Sequence, residues 1–316
     1  MLTLRTAAAA DAEIACQVFN AHDADEPQDP AVIRHRWSVA SPDVLRERFL
    51  LERDGRAVGF AFRGHEWWAR PDARFASNEV RVIPEARERS QVDEVYERLE
   101  GANIEEGAQT LMARTREGFE WDIEVLEARG YRYDRLSKAW ELDLVAHRDQ
   151  LLAARAAARA EMRRQGVGLL TEAGADDPEM LRRLHRLNQE TTRDVPTTAP
   201  HFDVSLAEFE QWSKGPDVRT DRSWVARDGE EVVAWSFLKY PALGRVWTGY
   251  TCCARSHRGR GIARAVKLET LGQAIELGVR SVRTDNDEQN APMLHINEKL
   301  GYDRVPGFVS YLKSPG

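Results

Sequence analysis

Short apolar segments of strand and helix character alternate along the whole chain. Runs of alternating or continuous apolar residues predict strands, and apolar residues recurring every three or four positions predict helices. In the first part this pattern predicts strands at 2–5, 49–53, 57–63, 75–83, 110–114 and 137–144, and helices at 11–19, 87–101 and 121–129. In the second part it predicts strands at 167–171, 224–227, 232–237, 246–253, 281–284 and 309–312, and helices at 178–191, from Ser205, at 262–277 and at 293–300. The fold class is therefore α/β.

The two parts repeat one another at a nearly constant spacing. The Gly-Tyr pairs at 130–131 and 301–302 lie 171 positions apart, and the Asp-Gly hairpin signals at 54–55 and 228–229 lie 174 apart. Such self-similarity indicates an internal duplication. An Ala/Arg-rich helix between the copies differs from both in composition and is interpreted as a connector. We predict one domain at 1–145, a helical linker at 146–166 and a second domain at 167–316.

Composition excludes several classes of protein. The 316 residues carry a net charge of -7, which makes the chain a poor general partner for nucleic acid. Its three cysteines form no disulfide framework and no metal-binding spacing, so we expect no metal and a reducing, cytoplasmic location. We also expect no signal peptide and no membrane partner, because no apolar run reaches the roughly 20 residues that cross a bilayer.

The two copies differ most in charge at one helix start. Residues 82–101 have a net charge of -3, whereas the matching residues 253–272 have a net charge of +4. Gly259 and Gly261 of the second copy are matched by Glu88 and Ser90 of the first, again 171 positions apart. The second copy therefore has the composition of an anion site, and the first copy has lost it.

A strand, a glycine-containing loop and a helix start follow one another around Gly261. A helix start has unpaired backbone N–H groups and a partial positive charge, and glycines let a phosphate approach those groups. The flanking arginines add donors for phosphate oxygens. The loop has neither the Gly-Lys-Ser/Thr ending of a Walker loop nor the glycine spacing of a dinucleotide fingerprint. A solvated basic turn is the alternative interpretation.

Two motifs in this part of the chain resemble those of the GNAT acetyltransferase superfamily. Arg258-Gly259-Arg260-Gly261-Ile262-Ala263 is similar to its pyrophosphate loop, and the segments 290–293 and 297–302 resemble its closing helix and Gly-aromatic corner. The resemblance covers about 167–312, and a degenerate copy covers about 2–144. It implies two tandem GNAT-like domains, each a mixed, mostly antiparallel sheet flanked by helices, in a layout similar to the mycothiol synthase type of enzyme.

The resemblance also implies acetyl-CoA as cosubstrate. Its pyrophosphate would lie on the backbone amides of Arg258, Gly259, Arg260, Gly261, Ile262 and Ala263. Its pantetheine arm would pair with the strand 246–253, where Thr251, Cys252 and Cys253 would contribute backbone groups. Asn290 lies where the family often has an Asn that contacts the arm. Capping of the helix that contains Pro292 is the alternative role for Asn290.

The catalytic groups are less clear from the sequence. Many relatives have a Tyr that protonates the leaving thiolate four residues before the Gly-aromatic corner, and this chain has Asn297 there. Tyr250, Tyr302 or water could replace it. Asp194 is the first choice for the general base that takes the amine proton, with a turn-forming role as the alternative. Further candidates are His201, Asp203, Asp285, Asn286 and His295.

The sequence thus predicts an N-acetyltransferase that moves an acetyl group from acetyl-CoA to a primary amine of a small molecule, by direct transfer in a ternary complex. A covalent acyl-cysteine route is disfavoured, because only one of the adjacent Cys252 and Cys253 can face the cofactor. A non-catalytic acyl-CoA sensor is an alternative function, and an aminoacyl-tRNA-dependent transferase is a weaker one. The oligomeric state, monomer or homodimer, is left open.

Overall fold

A computed structural model of the protein describes residues 1–39, 41, 44–66, 74–199, 201 and 203–315. The first elements along the chain are β1 (Thr3–Thr6), α1 (Ala12–His22), α2 (Pro30–Ser38), β2 (Val44–Arg53), β3 (Arg56–Glu66), β4 (Phe75–Val82), α3 (Arg89–Glu105), β5 (Thr110–Arg116), α4 (Glu120–Ala128) and β6 (Arg132–Asp143). They are followed by α5 (Arg148–Arg164), β7 (Val167–Thr171), α6 (Met180–Thr192), α7 (Leu206–Ser213), β8 (Ser223–Asp228), β9 (Glu231–Lys239), β10 (Trp247–Cys253), α8 (Ile262–Glu276), β11 (Ser281–Asp287), α9 (Ala291–Leu300) and β12 (Asp303–Lys313).

The chain forms two compact units that are not contiguous in sequence. Unit 1 comprises Met1–Ser137, Thr198–Phe202 and Pro306–Gly316, and unit 2 comprises Lys138–Thr197 and Asp203–Val305. Most of β12 belongs to unit 1 because its backbone pairs with β5, from Phe308 opposite Arg116 to Lys313 opposite Leu111. This division differs from the one drawn from the sequence. The bounds 1–145, 146–166 and 167–316 stay a prediction about the duplication.

Unit 1 has a mixed sheet with the strand order β1-β2-β3-β4-β5-β12. The pairs are antiparallel except for β4 with β5, which is parallel. Asp54 and Gly55 form the two-residue turn between β2 and β3, and both have positive φ, as a tight hairpin requires. A core of aliphatic residues and two tyrosines, Tyr96 and Tyr131, packs against this sheet.

Unit 2 has the strand order β7-β8-β9-β10-β11, and the part of β6 that belongs to this unit follows β11. Its pairs are antiparallel except for β10 with β11, which is parallel. The fold class predicted from the sequence, α/β with mostly antiparallel sheets flanked by helices, is confirmed. The second hairpin turn uses Gly229 and Glu230, because Asp228 still pairs with Glu231.

Helix α5 is an integral part of unit 2, in contrast to the spacer that its composition suggests. Its buried residues Leu151 and Met162 join the two apolar clusters of this unit. Arg155 is 6% exposed, and its Nε donates to Glu269 Oε2 of α8 over 2.7 Å. The alternation of Ala and Arg in the sequence therefore reflects one helix face that packs on α8 and one that faces solvent.

Candidate functional site

The residues 254–261, called here the glycine loop, connect β10 to α8. Gly259 has φ +76° and Gly261 has φ +81°, in the left-handed region that favours glycine. Gly261 is the N-cap of α8 and has no side-chain cap, so the first N–H groups of the helix are not covered by a side chain of the cap residue. A Cβ atom added to either glycine would meet nothing within 4 Å. The loop is therefore an open cradle of the shape and polarity that a phosphate fits.

Two arginines of the glycine loop are held by one carboxylate. Asp194, just after α6, accepts a hydrogen bond from Arg255 Nε at 2.8 Å and one from Arg258 Nη2 at 2.6 Å. The hydrogen bonds from Arg255 and Arg258 lower the pKa of Asp194 well below its usual range. A carboxylate with so low a pKa is a weak base. This arrangement argues against Asp194 as the general base and makes it the internal counter-ion of the loop.

The rest of the glycine loop is held by neighbouring elements. Arg260 Nε donates to Gln165 Oε1 at 3.1 Å, and Gln165 Nε2 donates back to the Arg260 carbonyl at 3.2 Å. Arg255 N donates to Glu190 Oε1 of α6 at 2.7 Å. The sequence analysis missed Gln165 and Glu190, because their distance from the loop along the chain hides their contact with it.

Strands β10 and β11 pair at one position among the described residues, Trp247 opposite Arg283. Beyond this pair, the described residues of β10 and β11 form no further ladder pairs, and we call the space between their facing edges the slot. On the other side of β10, a bulge between Thr248 and Tyr250 leaves Gly249 unpaired with β9. A Cβ at Gly249 would lie 2.1 Å from the Phe237 ring, so only glycine fits at this position.

The side chains of the next residues of β10 are engaged within the protein. The hydroxyls of Thr251 and Ser236 of β9 lie 2.8 Å apart. Cys252 and Cys253 are buried, and burial raises the pKa of Cys252 to about 12 and that of Cys253 to about 11. Both thiols are therefore protonated near neutral pH and are poor nucleophiles. The side chains of these three residues are therefore occupied within the protein or buried.

The tyrosines considered as proton donors are poorly suited to that role. Tyr250 Oη lies 3.1 Å from Thr191 Oγ1 and 3.3 Å from Thr192 Oγ1, and burial raises the pKa of Tyr250 to about 12. Tyr302 is 5% exposed, and burial raises the pKa of its hydroxyl further still. Phenols with such raised pKa values give up a proton less readily than water-exposed ones.

The two asparagines of the second motif have different roles in the structure. Asn290 is the N-cap of α9 and accepts a hydrogen bond from Met293 N at 3.4 Å. The structure thus shows the helix-capping role that the sequence offered as the alternative to cofactor contact. Asn297 is fully buried. It accepts a hydrogen bond from Lys267 Nζ at 2.8 Å and donates one from Nδ2 to Asn286 Oδ1 at 2.7 Å. The sequence analysis did not foresee Lys267 as a partner.

The remaining candidates lie on different elements or in different units of the chain. Asp203 pairs with Arg193 at 2.6 Å, and His295 lies on the exposed face of α9. His201 belongs to unit 1, whereas Asp285 lies on β11 of unit 2.

The matching helix start in unit 1 contains a carboxylate in place of the open cradle. Helix α3 begins at Arg89, and Glu88 is its N-cap residue. The Glu88 carboxylate accepts hydrogen bonds from the side chains of Ser90 and Gln91. Because Glu88 and Ser90 replace the two glycines, this start lacks the conformational freedom and the positive charge of the glycine loop.

Comparison with known proteins agrees with this geometry. Residues 181–302 match the model of the acetyltransferase (GNAT) family. The second half of the chain therefore carries a GNAT domain. No curated protein sequence is significantly similar to the chain.

Solved structures extend the similarity to both halves of the chain. A tandem GNAT protein from the clavulanic acid biosynthesis pathway has a TM-score of 0.75 at 18% identity, covering 100% of this chain and 99% of that one. A GCN5-related N-acetyltransferase from Sphaerobacter thermophilus has a TM-score of 0.67 at 19% identity, covering 100% and 96% of the two chains. The chain has the tandem GNAT fold predicted from the sequence. At these identities the likeness shows the fold alone.

Two searches of the described residues bear on other kinds of site. No described helix is both long and apolar enough to cross a membrane. Within the same residues, no group of three or more His, Cys, Asp or Glu side chains is arranged to hold a metal ion. The residues matched by the GNAT model, 181–302, include the glycine loop and both strands that border the slot.

Proposed function

We propose that unit 2 binds acetyl-CoA and transfers its acetyl group to a primary amine of a small molecule in a ternary complex. The observation that carries the proposal is the open cradle of the glycine loop, where two glycines with positive φ precede an uncapped helix start. Arg258 and Arg260 flank this cradle and can donate to phosphate oxygens. The amides of residues 258–263 would hold the pyrophosphate, as the resemblance of this segment to the GNAT pyrophosphate loop implies.

The slot would hold the arm that carries the acetyl group. Backbone groups of Thr251, Cys252 and Cys253 on β10 are the partners for the amides of the arm, in the manner of an added strand. A backbone N–H near the bulge at Gly249 would donate to the oxyanion that forms when the amine attacks. Because the cysteine thiols stay protonated, the amine would attack the thioester directly without an acyl-enzyme.

Two measurements on the full-length protein test the proposal. Isothermal titration calorimetry should give one equivalent of acetyl-CoA per chain, because only one of the two helix starts has the cradle. Release of the free thiol in the presence of a panel of small primary amines should exceed the rate without amine. Two equivalents, or no binding, would contradict the assignment of the cofactor to unit 2.

A non-catalytic acyl-CoA sensor is the second candidate function. The observation that favours it is that two candidate proton donors among the described residues are unsuited to the role, since Asn297 cannot give up a proton and burial raises the pKa of Tyr250 to about 12. A sensor would bind acetyl-CoA with the same stoichiometry but release no thiol with any amine. The amine panel therefore separates the two functions.

We expect the substitution Asp194→Asn to tighten acetyl-CoA binding by about two- to ten-fold. Asp194 occupies Arg255 and Arg258, and an exposed ion pair contributes roughly 0.2–1 kcal/mol. Removing the carboxylate frees both arginines for the pyrophosphate. Calorimetry on Asp194→Asn, with Asp203→Asn as a control that breaks the neighbouring pair with Arg193, would measure the change. Unchanged or weaker binding by Asp194→Asn would show that the carboxylate does not compete with the cofactor.

A further inference from the structure

A buried lysine lies at the centre of a polar cluster next to the slot. Lys267 of α8 is 0% exposed. Its Nζ donates to Asn297 Oδ1 at 2.8 Å and lies 4.9 Å from the centroid of the Tyr302 ring. A buried ammonium group is costly unless it is compensated. The proposed acetyl transfer assigns no role to Lys267.

The cluster extends from Lys267 to both strands that border the slot. Asn297 Nδ2 donates to Asn286 Oδ1 of β11 at 2.7 Å. The hydroxyls of Tyr302 and of Thr248 of β10 are near each other but fall short of a normal hydrogen bond, so both are buried without a well-formed partner among the described residues. Thr248 directly follows Trp247, where β10 pairs with β11. We call these five residues the lysine cluster; it lies at the closed end of the slot.

The lysine decides how the asparagine amide is oriented. A lysine ammonium only donates hydrogen bonds, so the atom of Asn297 that faces it must be the oxygen. The Asn297 NH₂ group therefore faces Asn286 and the strands that border the slot. One of its two N–H groups is bonded to Asn286, and the second would be the donor to a group in the slot.

The lysine cluster occurs in the half of the chain that has the glycine loop. The position 171 residues before Lys267 is Tyr96 of α3, and the position 171 residues before Asn297 is Leu126 of α4. Both are buried members of the apolar core of unit 1. The half without the cradle thus lacks both the ammonium and the amide, which links the lysine cluster to the cofactor and not to the fold.

Titratable groups on the elements around α8 do not compensate the ammonium. These groups are Arg148, Asp149, Arg155, Arg159, Glu161, Arg163 and Arg164 of α5, Arg227 and Asp228 of β8, Glu231 and Lys239 of β9, Tyr250, Cys252 and Cys253 of β10, Arg283, Asp285 and Asp287 of β11, and His295, Glu298 and Lys299 of α9. Burial is the cause that lowers the pKa of Lys267, to about 7, with no charged neighbour contributing. An anion in the slot would supply the missing charge.

We propose that Lys267, acting through Asn297, is a positioning residue that stabilises the thiolate of coenzyme A at the closed end of the slot. The inference rests on the proposed function for the identity of the ligand. During transfer the acyl C–N bond forms and the C–S bond breaks, and its electron pair stays on sulfur. The amine proton leaves to solvent. In place of a proton donor, the Asn297 amide dipole and the buried Lys267 ammonium would stabilise the thiolate, so that no acidic side chain is needed.

The test is the thiol pKa of free coenzyme A bound to the full-length protein, followed by the ultraviolet absorbance of the thiolate. In the wild-type protein we expect this pKa to fall at least one unit below the ordinary value of about 8.5. Burial raises the pKa of Cys16 to about 11, of Cys252 to about 12 and of Cys253 to about 11, so these protein thiols stay silent in this range.

Two variants of the lysine cluster and one control complete the experiment. In Lys267→Met and in Asn297→Leu, the thiol pKa should return to its ordinary value, and kcat for acetyl transfer should fall at least ten-fold. Lys299→Met removes an exposed ammonium from α9 and should leave both quantities unchanged. A lowered thiol pKa that persists in Lys267→Met would overturn the inference.

The stability of each variant distinguishes function from folding. The folded-state pKa of Lys267 lies below its unfolded value of 10.5, so the unfolded chain binds more protons between about pH 7 and 10.5. Wild-type stability, measured as the urea midpoint, should therefore rise over this window relative to Lys267→Met. If Lys267→Met folds, binds coenzyme A and still shows the lowered thiol pKa of the wild-type complex, the inference is refuted while the proposed function stands. Absence of any coenzyme A binding refutes the proposed function, and the inference with it.

Discussion

Replacing Gly261 by glutamate should abolish acetyl-CoA binding, with a loss of at least 100-fold in affinity. A non-glycine residue at φ +81° costs about 1–2 kcal/mol. The new carboxylate would also lie beside the pyrophosphate, where like charges about 5 Å apart repel by roughly 3 kcal/mol at an effective dielectric constant of about 20. Isothermal titration calorimetry with acetyl-CoA measures the loss directly.

The first half of the chain provides the matched control for this substitution. Ser90 occupies the position equivalent to Gly261, and Ser90→Glu introduces the same charge at the start of α3. We expect its affinity for acetyl-CoA to equal that of the wild-type protein. Gly261→Ala separates backbone strain from charge and should have an intermediate effect. Equal losses in Gly261→Glu and Ser90→Glu would contradict the division of labour between the halves.

Replacing Arg155 by methionine should destabilise unit 2 by about 3 kcal/mol, because one partner of a buried ion pair is removed. Glu269 is fully buried, and it receives hydrogen bonds from Arg155 at 2.7 Å and from Arg159 at 2.5 Å. Arg155 also fills the space next to Gly272, where a Cβ would lie 2.4 Å from its Cδ. Urea denaturation followed by fluorescence gives the change in the free energy of unfolding.

Two further variants show whether the ion pair is the cause. Arg164 lies on the same helix, and its side chain is 74% exposed. Arg164→Met should therefore change the free energy of unfolding by less than about 0.5 kcal/mol. Arg155→Met combined with Glu269→Met removes both buried charges and leaves Arg159, whose side chain is 42% exposed, without its partner, so it should recover much of the loss. A single Arg155→Met variant as stable as the wild type would show that α5 is a spacer after all.

The sequence pattern predicted the bounds of the strand and helix on either side of the glycine loop more closely than it predicted the elements at the ends of each half. The predicted strand 246–253 and helix 262–277 correspond to β10 (Trp247–Cys253) and α8 (Ile262–Glu276). Strong periodicity and a glycine boundary define these elements locally. Helix α2 was missed, although Asp29 caps it and Pro30 opens it, because its nine residues have no strong apolar period.

The catalytic candidates were less predictable because they depend on neighbours distant in the chain. Asp194 has a carboxylate that could act as a base. Its hydrogen bonds with Arg255 and Arg258, more than 60 positions away in the chain, make it a counter-ion. Lys267 reads as one more basic residue in a positive window, yet it is buried against Asn297 and Tyr302. No local pattern encodes a pKa that is set by burial.

The sequence by itself determined the duplication, the α/β fold class and the positions of the glycines before the start of α8. These follow from repeated spacing, from periodicity and from the backbone freedom of glycine, all of which act over short stretches of chain. The tertiary structure decided that β12 belongs to unit 1, that α5 packs on α8 and that Lys267 contacts Asn297. Strand pairing, burial and charge compensation join residues far apart in sequence, so only the folded chain reveals them.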